Sequence, residues 1–139
     1  MAGQLTGKKV AFLVSNEGVE QAELTAPWAA VENEGGSPVL LALEDDKVQA
    51  FNHLDKGNTF AADQAVGSAD AGNFHALVLP GGVANADQVR MDAKAVSFVR
   101  SFFDNGRPVA VICHAGWAII EADRIQGRTL TSWPRALLI

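Results

Sequence analysis

Residues Pro108–Trp117, PVAVICHAGW, decide the fold. The uninterrupted apolar run Pro108–Cys113 is the mark of a strand buried on both faces of a sheet. His114–Ala122 then reads as a short helix entered directly from that strand. Working upstream, Gly106 closes a helix over Asp92–Asn105, with Asp92 as its N-cap and Val96, Val99 and Phe103 on one face. Ahead of it lies another buried strand, Ala76–Leu79, ended by Pro80-Gly81-Gly82. The first strand is Lys8–Val14, followed by a polar turn at Ser15–Gly18. Glu20–Glu34 reads as a helix with Leu24, Trp28 and Val31 at helical spacing, a kink at Pro27, and a stop at Gly35-Gly36. Pro38–Leu43 is a further buried strand. Val48–Phe51 and Thr59–Phe60 suggest a surface hairpin turning at Asp55–Asn58, and Arg128–Ser132 is expected to begin a fifth strand.

Strands alternating with helices predict an α/β fold with a mostly parallel central sheet covered on both faces. In such sheets the ligand site lies outside the carboxyl ends of the strands. Asn16–Glu23, Pro80–Asp87 and Cys113–Trp117 all fall at that edge.

Composition narrows the function. The chain has 139 residues, 48% hydrophobic and 19% charged, which suits a single packed domain rather than disorder. Eleven basic against 16 acidic residues give a net charge of −5, which disfavours nucleic acid or a membrane surface as partner. One cysteine supplies neither an internal disulfide nor a cysteine-based zinc site. Met1–Gly7 lacks the apolar core of a signal peptide, and no apolar run reaches membrane-spanning length. The expectation is a soluble, cytoplasmic domain.

The chemistry centres on Cys113. A side chain at a strand-to-helix turn projects from a cramped backbone, as in a nucleophile elbow. A nearby helix N-terminus is expected to lower its pKa. The alternative is a buried cysteine acting only as a small hydrophobe. His114 is either a proton carrier, which requires a group to orient it, or a helix-start histidine bonded to backbone. Glu20 and Glu23 share a helix face, either as dipole partners or with a carboxyl reaching Cys113. Gly81 and Gly82 permit close backbone approach, for an oxyanion or simply for a turn. Pro80–Asp87 has no phosphate-loop or dinucleotide pattern, and Asp87 and Asp92 read most simply as helix-start caps.

Taken together, Ala110-Val111-Ile112-Cys113-His114, Ala76–Gly82 (ALVLPGG), Glu20–Leu24 (EQAEL) and Gly127–Pro134 (GRTLTSWP) resemble the ThiJ/PfpI superfamily. The nearest branch is that of the PfpI-type intracellular proteases, and the resemblance covers essentially the whole chain as one class I glutamine amidotransferase-like domain. It implies a flavodoxin-like three-layer sandwich forming homodimers or higher oligomers. It implies Cys113 as nucleophile, His114 beside it, and Glu23, with Glu20 second, as the glutamate that hydrogen-bonds the cysteine. Asp87 matches an acidic residue that reaches the histidine of a neighbouring subunit, an aspartate where those relatives carry glutamate. Backbone around Gly81, Gly82 and Ala115 would form the oxyanion hole. No metal or organic cofactor is implied.

The chain departs from the family pattern in two places. The usual Cys-His-Gly-Pro is Cys113-His114-Ala115-Gly116, and the family continues several tens of residues beyond Pro134. Here Arg135–Ile139 no longer matches it, so the C-terminal part of the family fold is expected to be missing. The function implied first is a stress-related cysteine hydrolase acting on peptides or amides. A deglycase or glyoxalase-like enzyme acting on dicarbonyl-modified substrates is the second reading. A non-enzymatic oxidative-stress sensor or chaperone with an oxidisable Cys113 is the third.

Overall fold

The computed structural model describes residues 3–133; Pro134 and Arg135–Ile139, where the family pattern was read as ending, lie outside the described residues. In chain order the elements are β1 (Lys9–Val14), β2 (Glu17–Glu20), α1 (Gln21–Asn33), β3 (Ser37–Ala42), β4 (Lys47–Asn52), β5 (Asp55–Ala61) and β6 (Gln64–Ala65). They continue with β7 (Ala76–Leu79), α2 (Val83–Met91), α3 (Ala93–Asp104), β8 (Val109–Val111) and α4 (Gly116–Glu121).

Five strands form a parallel sheet in the order β6-β3-β1-β7-β8. Its register pairs Phe12 with Leu40 and Val78, and Leu79 with Val111. Alternation along β1 then sorts the core into two layers. Ala11 and Leu13 pack with Leu77, Leu79, Val89, Val99 and Phe102 beneath α2, α3 and α4. Val10, Phe12 and Val14 face Leu24 and Val31 of α1, together with Val19, Val48 and Ala50 of a second sheet. That smaller sheet, in the order β2-β4-β5, pairs β2 with β4 in parallel and β4 with β5 antiparallel. The result is the expected flavodoxin-like sandwich. Each fully buried Phe12 or Leu13 side chain contributes about 1.5–3 kcal/mol by leaving water.

Four local expectations are corrected. Ser15–Gly18 is not merely a turn, because Glu17–Glu20 adds β2 to the edge of β4. The hairpin turns at His53-Leu54, so Asp55–Asn58 lies within β5; His53 supplies the left-handed backbone, at φ 59°. Asp87 does not start a helix but lies inside α2, which begins at Val83 and buries Asn85, Ala86 and Val89 on one face. Arg128–Ser132 forms no strand. Pro27 does sit inside α1, where it cannot donate to the Glu23 carbonyl one turn back. Among the described residues no helix is long and apolar enough to cross a membrane.

β1 lies at the centre of the sheet, with β3 on one side and β7 on the other. This places the crevice expected of such sheets at the carboxyl ends of β1 and β7.

Candidate active site

Three strand ends close on one another there. Ile112 is extended, whereas Cys113 adopts φ 59° and opens a single 3-10 turn, Cys113–Ala115, that leads into α4. A cysteine rarely occupies this left-handed region, which costs about 1–2 kcal/mol. The conformation turns the thiol out of the strand line.

The end of β7 reaches the elbow because Gly81 has no side chain. A Cβ there would overlap Glu23 Oε2, lie 2.6 Å from Cys113 Cβ and lie 2.9 Å from the Ile112 carbonyl oxygen. Gly82 has φ 96° and is crowded by Gly18, so an L side chain there would be both strained and obstructed. The loop is fixed by Asn85, only 1% exposed. Its Nδ2 donates to the carbonyls of Pro80 at 2.9 Å and Gly81 at 3.0 Å. Its Oδ1 accepts the Ser15 N–H at 2.7 Å. Asn85 thus ties the ends of β1 and β7 together, a role that sequence reasoning missed. The only available sign was a polar residue just after a glycine pair.

The Cys113 sulfur receives the backbone N–H groups of Gly82 and His114 and lies 3.0 Å from His114 Nδ1. Glu23, in the first turn of α1, brings its half-buried carboxyl against the Gly81 N–H and the Cys113 thiol. Its Oε2 is buried and makes no hydrogen bond of good geometry. Burial without a partner favours the protonated form of such a carboxyl.

The electrostatics agree. Burial pushes the Glu23 carboxyl above its ordinary value and the nearby Glu20 charge adds to this, against the opposing Gly81 N–H and Cys113 contacts. Burial and the Glu23 charge push the Cys113 thiol up, against the two backbone donors. The expected depression of the thiol by a helix end is therefore corrected: α4 starts only after the 3-10 turn, and burial together with the carboxylate outweighs the backbone. The Glu23 charge thus opposes ionisation of the thiol, whereas the hydrogen bond from the neutral thiol favours the ionised carboxyl. Burial lowers the His114 pKa, which keeps the imidazole neutral and able to accept a proton.

The other candidates lie elsewhere. Glu20 accepts the His53 N–H at 3.1 and 3.2 Å and faces the His53 imidazole at 3.6 Å, so it clasps the hairpin turn rather than Cys113. Asp87 is within α2, not at its start, and its Oδ1 accepts from Arg90 at 2.6 and 2.8 Å in the same chain. The Ala115 N–H donates to the Ile112 carbonyl at 3.0 Å, leaving it engaged, while the His114 N–H faces the sulfur instead. Gly81 serves Glu23, and of the glycine pair it is Gly82 whose N–H faces the sulfur. Among the described residues no three His, Cys, Asp or Glu side chains converge as a metal-ligand cluster. A concavity of about 620 Å³ runs between residues 66–72 and α3 and is lined by none of these residues.

The arrangement gathers an imidazole, a carboxyl and two backbone N–H donors around one thiol sulfur. The chain as a whole is similar to known proteins. A Pyrococcus horikoshii protein named as a deglycase is 36% identical over 126 residues, spanning 91% of this chain and 72% of its own. YraA of Bacillus subtilis, whose name assigns it to the cysteine proteases, is 35% identical over the same shares of each chain. A two-domain Anabaena variabilis crystal structure with DJ-1/ThiJ/PfpI-like and ferritin-like domains superposes with a TM-score of 0.84 at 30% identity, covering 91% of this chain and 35% of that one. The DJ-1/PfpI family profile matches residues 8–137, past the Pro134 at which the resemblance was expected to end, so the chain belongs to the DJ-1/PfpI family.

Proposed function

We propose that the chain is a cysteine-dependent enzyme that removes reactive-dicarbonyl adducts from amines, a deglycase. One observation carries the reading: Sγ of Cys113 stands on a left-handed elbow, 3.0 Å from a neutral His114 imidazole and facing two backbone N–H groups. The thiolate would take the carbinol carbon of the adduct, the C–S bond forming as the C–N bond to the amine breaks. A proton shift from that carbon to the adjacent carbonyl carbon turns the hemithioacetal into a hydroxyacyl thioester. Water hydrolyses this to the free thiol and a 2-hydroxy acid. During the shift, negative charge gathers on the carbonyl oxygen. The N–H groups of Gly82 and His114 are the donors within reach of that oxygen. His114 would carry the proton from thiol to departing amine. Glu23 holds its own proton beside the sulfur. No cofactor or metal enters this scheme.

The names of relatives favour adduct removal over peptide cleavage, since the P. horikoshii protein and several others are called deglycases while one bears a protease name. A PfpI-type amidase is the second reading, because the same thiol, base and donors suit an acyl transfer. Neither reading requires nucleic acid or membrane as partner. Both are proposed for a cytoplasmic homodimer or larger homo-oligomer, where Asp87 would have to leave Arg90 to reach a partner's histidine.

The test offers the purified chain a lysine derivative pre-treated with methylglyoxal, and separately a fluorogenic peptide. Release of free amine is expected, abolished by Cys113→Ala and reduced about 10²–10⁴-fold by His114→Ala. Peptide cleavage without amine release would replace the deglycase by the amidase. Amine release that survives Cys113→Ala would remove the proposed nucleophile.

A further inference from the structure

A base that takes a proton from Cys113 must be held in one orientation, yet among the described residues no carboxylate hydrogen-bonds the His114 ring. Its neighbours are aromatic. The Trp133 ring stacks on it at 6.0 Å and 30°, and Trp117 meets it edge-on at 5.3 Å and 70°. Trp117 is in turn covered by a cation, with the Arg90 guanidinium carbon 5.5 Å from its ring centroid. Arg90 is itself held from two sides. Asp87, one turn earlier on α2, takes its Nε and one terminal nitrogen, and Glu121 at the end of α4 takes the other terminal nitrogen at 3.4 Å. This fork spans α2 and α4, the helix that carries Trp117.

We propose that Arg90 is a positioning residue for His114, acting through Trp117. The guanidinium, set by Asp87 and Glu121, fixes the indole, and the indole edge fixes the imidazole plane that brings Nδ1 to the Cys113 sulfur. An aromatic ring under a cation takes the place of the carboxylate that orients such a base elsewhere. It also gives Asp87 a use within its own chain. The inference rests on the reading of His114 as proton carrier but can be tested without substrate.

The experiment records the imidazole nitrogen resonances of the full chain by NMR, together with the rate of Cys113 alkylation by iodoacetamide at neutral pH. His53, beside Glu20, and His75, which accepts the Lys9 N–H at 3.0 Å, serve as internal references. Arg90→Ala should move or broaden the His114 signals alone and slow alkylation about two- to five-fold, the range a cation–π contact supplies. Arg90→Lys should restore part of both, since an ammonium keeps the charge and loses the fork. Should Arg90→Ala disturb all three histidines through misfolding, Glu121→Gln, at an exposed position, is expected to move His114 slightly in the same direction. Unchanged His114 signals and alkylation in Arg90→Ala, or in both Arg90→Lys and Glu121→Gln if the alanine variant misfolds, would overturn the proposal. With the methylglyoxal adduct, Arg90→Ala should lower kcat and leave KM. A chain whose His114 responds as expected but which releases no amine would retain Arg90's role and lose the deglycase.

Discussion

Replacing Gly81 by alanine tests the geometry of the site at its tightest point. The added methyl would sit 2.6 Å from Cys113 Cβ and 2.9 Å from the Ile112 carbonyl oxygen, and would overlap Glu23 Oε2. The first distance is roughly 0.8 Å short of the 3.4 Å at which ordinary contact begins. Two of these three neighbours cannot swing away, since one is main chain and the other is the Cβ of a residue fixed at φ 59°. The elbow and the end of β7 must therefore part. Overpacking of this kind costs about 1–3 kcal/mol, and at some 3 °C per kcal/mol for a domain of this size the melting point should fall about 3–9 °C. Activity should suffer more than stability, because a displacement near 1 Å at a reacting centre can cost about 10²-fold. The assay pairs a thermal melt with Cys113 alkylation followed across pH. Gly67→Ala is the control: its methyl would meet the Lys94 side chain at 2.7 Å, the far end of a flexible group that moves aside. If Gly81→Ala melts within about 1 °C of the parent and alkylates along the same pH curve, the claim that the elbow is wedged against β7 is wrong.

Two further outcomes follow from buried groups. Asn85→Ala strands the Ser15 N–H and the Pro80 carbonyl, while the Gly81 carbonyl keeps the Glu20 N–H at 3.3 Å, and should cost about 3 kcal/mol, read by urea unfolding; Asn85→Asp should not rescue it, because the Pro80 carbonyl needs a donor. His114 has its folded pKa depressed below 6.5 by burial, so the unfolded chain binds the extra proton first. Its contribution to stability is therefore present above pH 6.5 and is lost as pH falls through the folded value. Urea midpoints measured from pH 7.5 downward should fall less steeply in His114→Gln than in the parent, and equal slopes would contradict the assignment.

The parallel sheet was legible because its strands are continuous apolar runs between glycine and proline: β1, β7 and β8 each lie within the segment so read, and β3 starts one residue earlier, at Ser37. Asp92 also lies where its sequence context puts it, accepting the Ala95 N–H at 2.8 Å as an N-cap. α2 was not legible, since its buried face is Asn85, Ala86 and Val89, and a buried asparagine looks like a surface residue until its three partners are seen. Arg128–Ser132 has the β-propensity of a strand but no pairing in the described structure, and pairing decides such segments. At the site, chain order alone brought Cys113, His114 and Glu23 to one edge. It could not tell that Glu20 turns to His53, or that Asp87 is taken by Arg90, because both depend on side-chain partners many residues away or one helical turn along.

The backbone of Cys113 sets folding and chemistry in opposition at one residue. At φ 59° a glycine would sit without strain, and the fold by itself would favour it. The thiol stays outside the strand line only because the surrounding core holds the chain in a conformation that the residue resists. Stabilising this protein by relaxing its most awkward torsion would thus remove the one atom on which its proposed activity depends, a trade between robustness and reactivity fixed at a single bond.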